Sequence, residues 1–379
     1  MRQREFLKLL GAGVLGLGAA PMGRGGEPAP DAKGKRRTKN FTWVTLDEET
    51  NKDHWARLFA KIRAAGIDGI LPEIWNGRHA YFGSTRLPVK EERLEMMLPL
   101  ARSEGLEVHA WMWSMPCLVE DILKKHPDWY NVNAKGESAA DKPAYVPYYR
   151  FLDPARPEVR EFVQGTVKEL AAYSDLQGVH LDYIRHPDAI LPKGLWGRYK
   201  LVQDRVYPEF DYGYTDYSRE QFRKARGVDP MKIQDPESDR EWMQYRLDAV
   251  VDLVNLYLVP AAHAGGKAIS AAVFPGPTLA RRMVRQDWGR FQLDLFFPML
   301  YSNFYEAGPE WVAEQTREGV AAVKSPLMSG LFVPGTEDNG LSALLGAALS
   351  SGAAGVCLFD LQSMDEGKWA SFSRAVGVS

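Results

Sequence analysis

The chain repeats one pattern eight times from residue 40 onward: a short apolar run, a polar turn, and a longer segment with apolar residues three and four apart. The first four apolar runs are FTWVTL at 41–46, IDGILPEI at 67–74, LEVHAWMW at 106–113 and LQGVHLDY at 176–183. The other four are KAISAAVF at 267–274, DLFFPMLY at 294–301, PLMSGLFV at 326–333 and GAAGVCLFDL at 352–361. Eight strand-helix units predict an α/β fold, specifically a (β/α)₈ TIM barrel.

Two connections in this pattern are much longer than the others. They follow the third and fourth predicted strands and are rich in Trp, Tyr, Asn and Asp. In a barrel of parallel strands, such insertions lie on the face that holds the active site. They predict the walls of an extended groove that suits a polymer. A lid or a partner surface is the alternative interpretation.

The first residues have the composition of an export signal. The segment MRQREFLKLLGAGVLGLGAAPMG has a basic start, a short apolar stretch and small residues after it. Its REFLKLL resembles a twin-arginine signal, although Gln3 stands where one arginine is expected, and the Sec route is the alternative. We predict a signal peptide at 1–22, a disordered linker at 23–39 and a catalytic barrel at 40–379. We also predict that the protein is an exported monomer, either periplasmic or extracellular. We expect it to have no membrane span once the signal is removed.

Composition narrows the class of partner. Lys plus Arg (47) nearly balances Asp plus Glu (49) and no basic stripe recurs, so nucleic acid is not expected. The 11 Trp and 16 Tyr suit sugar stacking as well as core packing. Cys117 and Cys357 are far apart in sequence and are expected to be buried free thiols. We expect neither a cofactor nor a metal.

The segment GVHLDYIRHP at 178–187 places charged residues where the fourth predicted strand ends. In such barrels the carboxyl ends of the strands form the active site. His180 and Asp182 share one parity on the strand, so Asp182 is predicted to point into the mouth. The alternative is that Asp182 pairs with Arg185 to hold a loop.

Other strand ends supply further polar and aromatic side chains. The candidate catalytic carboxylates are Asp182, Glu73, Glu306 and Asp360. The candidate substrate-binding residues are Trp75, Asn76, His79, His109, Trp111, Trp113, His180, Arg185 and Tyr301. A pair of carboxyl groups in an aromatic mouth is typical of glycosidic-bond cleavage, with one group as acid and the other as nucleophile or base.

Several segments in order resemble one bacterial family. They are GLEVHAWMW, HPDWYNVNAKG and FLDPARPEVREFVQGTVKELAAYSDLQGVHLDYIRHP, followed by WMQYRLDAVVDLV and DLFFPMLY. Over roughly residues 40–305 the chain is similar to the bacterial glycosyl-hydrolase-like family 10 domain. The resemblance implies an exported (β/α)₈ glycoside hydrolase that acts on a polysaccharide, and it singles out Asp182. The chain departs from the family pattern at His186, where Tyr is usual, and at Glu73, where many members carry an amide.

Three hypotheses about function follow from these observations. The first is a glycoside hydrolase with Asp182 as nucleophile or base, and with Glu73, before Glu306 and Asp360, as the acid. The second is a metal-dependent sugar lyase or isomerase that uses His109, His180, Asp182 and Glu73, although no tight His-x-His spacing supports it. The third is a barrel that binds carbohydrate without catalysis.

Overall fold

Eight parallel strands form the centre of the molecule in a computed structural model, which describes residues 38–46 and 51–378. The predicted signal peptide and all but the last two residues of the predicted linker lie outside these ranges. The strands are β1 (Phe41–Val44), β2 (Gly69–Trp75), β3 (Glu107–Trp113), β4 (Gly178–Asp182), β5 (Ala268–Val273), β6 (Leu295–Pro298), β7 (Met328–Phe332) and β8 (Gly355–Phe359). Seven of the eight strands lie within the predicted apolar runs, and β2 extends one residue beyond its run, to Trp75.

Each strand pairs in parallel with its neighbour, in the order β6-β5-β4-β3-β2-β1-β8-β7. Parallel bridges from Phe296 to Leu327 and from Met299 to Gly330 join β6 to β7. These bridges bring the two outer strands together and complete the circle. The predicted (β/α)₈ barrel is therefore confirmed.

Helices surround the barrel and connect its strands. The main ones are α1 (Lys52–Ala64), α2 (Arg93–Ser103), α3 (Glu120–Lys125), α4 (Pro157–Ala171), α5 (Trp196–Tyr199) and α6 (Asp216–Arg226). They are followed by α7 (Arg240–Ala264), α8 (Pro277–Val284), α9 (Pro309–Ala322), α10 (Asp338–Ser350) and α11 (Glu366–Ala375). Helices α3, α5 and α6 belong to the long insertions after β3 and β4, which confirms the positions predicted for them.

Helix α7 is the longest helix of the described residues, and a π-helical segment, Leu253–Leu258, lies inside it. By length and composition it could cross a membrane, with a mean hydropathy of 1.3 over its most apolar window. More than half of that window (56%) is buried in the fold, where the helix packs on α4 and β5. Packing within the barrel accounts for its apolar composition.

Alternation along the strands separates two apolar layers. On β4, Val179 and Leu181 are fully buried between the strands and the helices. His180 lies between them in sequence and points to the barrel interior, where it contacts Trp43 and Phe297. Because side chains of a strand alternate between its faces, Asp182 falls on the interior side at the open end.

The pairing between β2 and β3 contains an irregularity near the mouth. Glu73 pairs with Trp111, but the register then shifts so that Trp75 pairs with Met112. Trp75, which is only 2% exposed, consequently packs in the layer between strands and helices. The inward position that simple alternation predicts for Trp75 is therefore not the one that it occupies.

Candidate active site at the mouth of the barrel

A pocket opens at the carboxyl ends of the strands. The strands contribute its floor, which includes Trp43, Trp111, Asp182, Ala272, Phe332 and Phe359. The connections after β3, β4 and β6 contribute its walls, which include Tyr145, Tyr149, Leu191, Tyr199, Phe304 and Tyr305. The pocket is therefore aromatic on most sides and has a carboxyl group on its floor.

Asp182 is the last residue of β4, and two N–H groups fix its carboxylate. The backbone N–H of Tyr183 donates to Oδ1 at 2.7 Å, and the indole N–H of Trp111 donates to Oδ2 at 3.1 Å. Burial raises the pKa of Asp182 to about 6, although both N–H donors and the positive charge of Arg185 act in the opposite direction. The carboxyl can therefore exchange a proton in the weakly acidic range, as an acid-base catalyst must.

Glu73 lies at the same end of the barrel, on β2. It is 7% exposed and accepts a hydrogen bond from the indole N–H of Trp113 at 2.8 Å. Strand β3 lies between β2 and β4, and it carries a hydrogen-bond donor for each of them. Trp111 donates to Asp182 on β4, and Trp113 donates to Glu73 on β2. The predicted pair of carboxylates is thus held on either side of one strand, although Glu73 does not line the pocket.

Tyr183 lies within electrostatic reach of both carboxylates. Burial raises its pKa well above the ordinary value, and the negative charges of Asp182 and Glu73 add to this effect. Its ring centroid is 5.0 Å from that of Trp113. Its φ of 51° lies in the left-handed region, which is rare for a bulky residue and recurs at functional sites. Tyr183 is therefore a polar wall residue between the two predicted catalytic groups.

Arg185 forms its ion pair with Asp188 and leaves Asp182 free of one. Its Nη1 lies 2.9 Å from Oδ2 of Asp188, and both side chains are almost completely buried. The alternative in which Asp182 merely pairs with Arg185 to hold a loop is therefore not what the structure shows.

Tyr301 lines the pocket on the β6 side. Its ring stacks on Phe359 at a centroid distance of 6.0 Å and an angle of 17°. Burial raises the pKa of Tyr301 well above the ordinary value, and the charge of Asp182 contributes. Its hydroxyl therefore stays protonated and available as a hydrogen-bond donor.

Two of the three histidines predicted to bind substrate, His109 and His180, lie below the pocket. His180 accepts the indole N–H of Trp43 at 2.9 Å, and its other ring nitrogen is 2.9 Å from the Ser270 hydroxyl. Burial lowers the pKa of His180 well below the ordinary value, so the ring is neutral. His109 lies near the start of β3, beside Glu107 at 3.4 Å. Neither ring lines the pocket.

No group of three or more His, Cys, Asp or Glu side chains that could hold a metal ion occurs in residues 38–46 and 51–378. His109 and His180, which were candidates for a metal-dependent lyase or isomerase, are engaged with other side chains. The residues named for that hypothesis do not converge on one point.

Five other predicted residues lie away from the pocket. Asn76 accepts the backbone N–H groups of Arg78 and His79 in the turn after β2. Glu306 forms an exposed ion pair with Lys193 at 2.6 Å. Asp360 accepts hydrogen bonds from Ser363 at 3.1 Å, and burial raises its pKa. Residues that do not line the pocket include Trp75, Asn76, His79, Glu306 and Asp360.

Sequence reasoning did not identify several pocket residues individually. Asp188 follows Arg185 by three positions, a spacing that allows an ion pair within one turn of a loop. The missed tyrosines Tyr145, Tyr149 and Tyr199 all lie in the two insertions that were recognised as aromatic. The composition of the insertions identifies them as aromatic, but it does not rank their rings.

The prediction that the two cysteines are buried and free is confirmed in the described structure. Cys117 and Cys357 are buried and unpaired there. Burial raises the pKa of Cys117 to about 11 and that of Cys357 well above its ordinary value, so neither is a reactive thiolate.

Comparison with known families supports the resemblance seen in the sequence. Residues 38–190 match the family model described as Glycosyl hydrolase-like 10. The matched segment contains β1 to β4, and therefore both Glu73 and Asp182. The match thus lies in the first half of the barrel.

One curated relative is described as a glycosyl hydrolase. The chain is 24% identical over 173 residues to the glycosyl hydrolase YngK of Bacillus subtilis (strain 168). The alignment covers 39% of this chain and 31% of that relative, so this chain corresponds to about a third of its length.

Solved structures share the fold at low sequence identity. The glycoside hydrolase domain of PgaB (BpsB) from Bordetella bronchiseptica has a TM-score of 0.69 and 11% identity, covering 89% of this chain and 99% of that one. The catalytic domain of a β-amylase from Paenibacillus polymyxa has a TM-score of 0.64 and 12% identity, with 89% and 97% coverage. A β-galactosidase from Marinomonas ef1 has a TM-score of 0.63 and 14% identity, with 89% and 59% coverage. These structures share the (β/α)₈ barrel fold of this chain.

Proposed function

We propose that the protein is a glycoside hydrolase in which Asp182 is the essential acid-base carboxyl. The observation that carries the proposal is the setting of Asp182, a buried carboxyl with a pKa of about 6 on the floor of an aromatic pocket at the carboxyl ends of the strands. Perturbed carboxyl groups in such clefts are typical of catalytic acids and bases. The glycosyl-hydrolase-like region that contains Asp182 supports the same conclusion.

Cleavage of a glycosidic bond needs a proton for the leaving oxygen. Protonated Asp182 can supply it, because burial stabilises the neutral form up to about pH 6. After transfer, the N–H groups of Trp111 and Tyr183 stabilise the carboxylate that remains. Asp182 can therefore both donate and recover a proton.

Glu73 is the proposed partner of Asp182. Its carboxylate is oriented by Trp113, and its charge reaches Tyr183 on the pocket wall. The sequence alone favours Glu73 as the acid and Asp182 as the nucleophile or base. The raised pKa of Asp182 favours the reverse assignment, in which Asp182 is the acid and Glu73, which does not line the pocket, is the base that activates a water molecule.

The proposed substrate is a polysaccharide or oligosaccharide outside the cytoplasm. The insertions after β3 and β4 support a glycan, because they surround the pocket with rings that can stack on sugars. The signal-like segment at the start of the chain supports an exported enzyme.

The test is a glycan panel with product analysis by mass spectrometry, run with the wild-type protein, with Asp182→Asn and with Glu306→Gln. Asp182→Asn is expected to lower turnover by about 10²-fold or more, whereas Glu306→Gln should retain it. Near-full turnover by the Asn variant would overturn the role of Asp182. Binding of glycans without turnover by the wild-type protein would instead support the carbohydrate-binding hypothesis.

A further inference from the structure

The charged groups of the pocket are few, and their pairing restricts the substrate. Apart from tyrosine hydroxyls, the ionisable side chains that line it are Asp182, Arg185 and Asp188. Arg185 and Asp188 neutralise each other through their ion pair. Asp182 is left as the uncompensated charge on the pocket surface, and that charge is negative above about pH 6.

Arg185 is not available to bind an anion. Its Nη1 is already shared between Asp188 Oδ2 at 2.9 Å and the His186 carbonyl at 3.0 Å. Four rings surround the guanidinium at centroid distances of 4.9 to 6.0 Å, those of Phe274, Tyr183, Phe151 and Tyr149. The side chain is 4% exposed, and its charge is offset within the protein by Asp188 and the surrounding rings, although its Nε has no hydrogen-bond partner among the described residues.

The rest of the pocket offers apolar rings and tyrosine hydroxyls. Trp43, Trp111, Tyr199, Phe304 and Tyr305 present surfaces that suit the C–H faces of pyranose rings. A carboxylate or sulfate on a bound sugar would lose its hydration here and meet no free cation. It would also be repelled by Asp182, because like charges in a partly dehydrated pocket repel strongly.

We propose that the pocket accepts sugar units without acidic groups and rejects uronic acids and sulfated sugars. This inference rests on the proposed function for its ligand class, but it concerns recognition and does not require turnover. The pocket discriminates against acidic glycans because the charge of an acidic sugar would be buried without a partner, which weakens binding.

Binding measurements test this selection independently of catalysis. Tryptophan fluorescence can report occupancy, because Trp43 and Trp111 line the pocket. The probes are matched pairs that differ only in charge, such as glucoside and glucuronide, galactoside and galacturonide, and a uronate polysaccharide before and after reduction of its carboxyl groups. In each pair of which at least one member binds, we expect the neutral member to bind at least about tenfold more tightly than the acidic member.

Equal or tighter binding of the acidic members, or no binding of any glycan, would overturn the inference. Binding of neutral members without hydrolysis would support the inference while contradicting the proposed hydrolase function. The two failures are therefore distinguishable.

A charge-introducing variant tests the same selection in the opposite direction. Leu195 lines the pocket and is 7% exposed, so Leu195→Lys places a cation at the wall without removing a carboxylate. The preference for neutral ligands should fall by about tenfold or reverse. Leu195→Met is the matched control and should keep the wild-type preference. An unchanged preference in a folded Lys variant would contradict the electrostatic explanation.

Discussion

Trp111 donates its indole N–H to Asp182, with Nε1 3.1 Å from Oδ2, across the pairing of β3 with β4. The same strand presents Trp113, which binds Glu73 on the opposite side. Two aromatic residues with the same parity on one strand therefore orient two carboxylates on its two neighbours. We expect both tryptophans to act mainly by positioning these carboxylates, and Trp111 also offers its ring to the pocket.

Replacing Trp111 by Phe should change the ionisation of Asp182. The indole N–H favours the charged carboxylate, so its loss raises the pKa of Asp182 above about 6. If Asp182 is the proton donor, the alkaline limb of the kcat/KM profile should shift upward by about one pH unit. The measurement is a pH-rate profile on one substrate.

Trp43→Phe is the matched control for that prediction. Trp43 lies in the same interior cluster, but it donates to His180 and not to Asp182. Trp43→Phe removes the same side-chain volume as Trp111→Phe, and it should leave the position of the alkaline limb of the kcat/KM profile unchanged. Equal shifts in the two variants would contradict a specific role for the Trp111 N–H.

Replacing Asp182 by Asn should change how stability depends on pH. Burial raises the pKa of Asp182 to about 6, so between about pH 4 and 6 the folded protein holds a proton that the unfolded chain has released. Its contribution to the free energy of unfolding therefore falls as pH rises through this window, by on the order of 3 kcal/mol at 1.36 kcal/mol per pKa unit. The stability of Asp182→Asn relative to wild type should thus increase from pH 4 to 7 in denaturant melts. A difference that does not vary with pH would argue against the raised pKa.

Substrates with different leaving groups separate the roles of Asp182 and Glu73. An activated aryl glycoside needs little protonation, so Asp182→Asn should lose much less activity on it than on an alkyl glycoside. Glu73→Gln should lose activity on both substrates to a similar extent, by about 10²-fold or more. Steady-state kinetics on the two substrates give the answer. The opposite pattern would return the acid role to Glu73, as the sequence first indicated.

Glu306 should prove dispensable. It forms an exposed ion pair with Lys193 outside the pocket, and such pairs contribute between 0 and about 1 kcal/mol. Glu306→Gln should therefore keep turnover within about twofold of wild type and shift the melting temperature only slightly. A large loss of turnover with an unchanged fold would restore Glu306 as a candidate acid.

The barrel could be predicted from sequence because its signal repeats. Each of the eight strands is a short, mainly apolar run, and period-two alternation correctly assigns His180 and Asp182 to the interior side of β4. Local patterns of this kind depend on neighbouring residues, which the sequence shows directly. The family resemblance added Asp182 as the residue to consider first.

The failures have specific physical reasons. Alternation places Trp75 inward, but the register shift between β2 and β3 turns it into the strand-helix layer, and a single sequence does not reveal such a shift. His109 has the inward parity but lies near the start of its strand, far from the mouth, because parity says nothing about depth. The role of Asp188 depends on how a loop folds back, and the choice among the aromatic residues of the insertions depends on contacts distant in sequence.

The division between floor and walls also has an evolutionary consequence. The floor around Asp182 depends on strand pairing that the whole barrel requires, so substitutions there endanger folding and chemistry together. The walls come from insertions and from the β6 connection, where changes leave the strand ladder intact. If the proposed function holds, homologous chains can therefore acquire new glycan preferences by exchanging these loops while they inherit an unchanged floor. Variation among descendants of this barrel should accordingly be concentrated at Leu191, Leu195, Tyr199 and their neighbours.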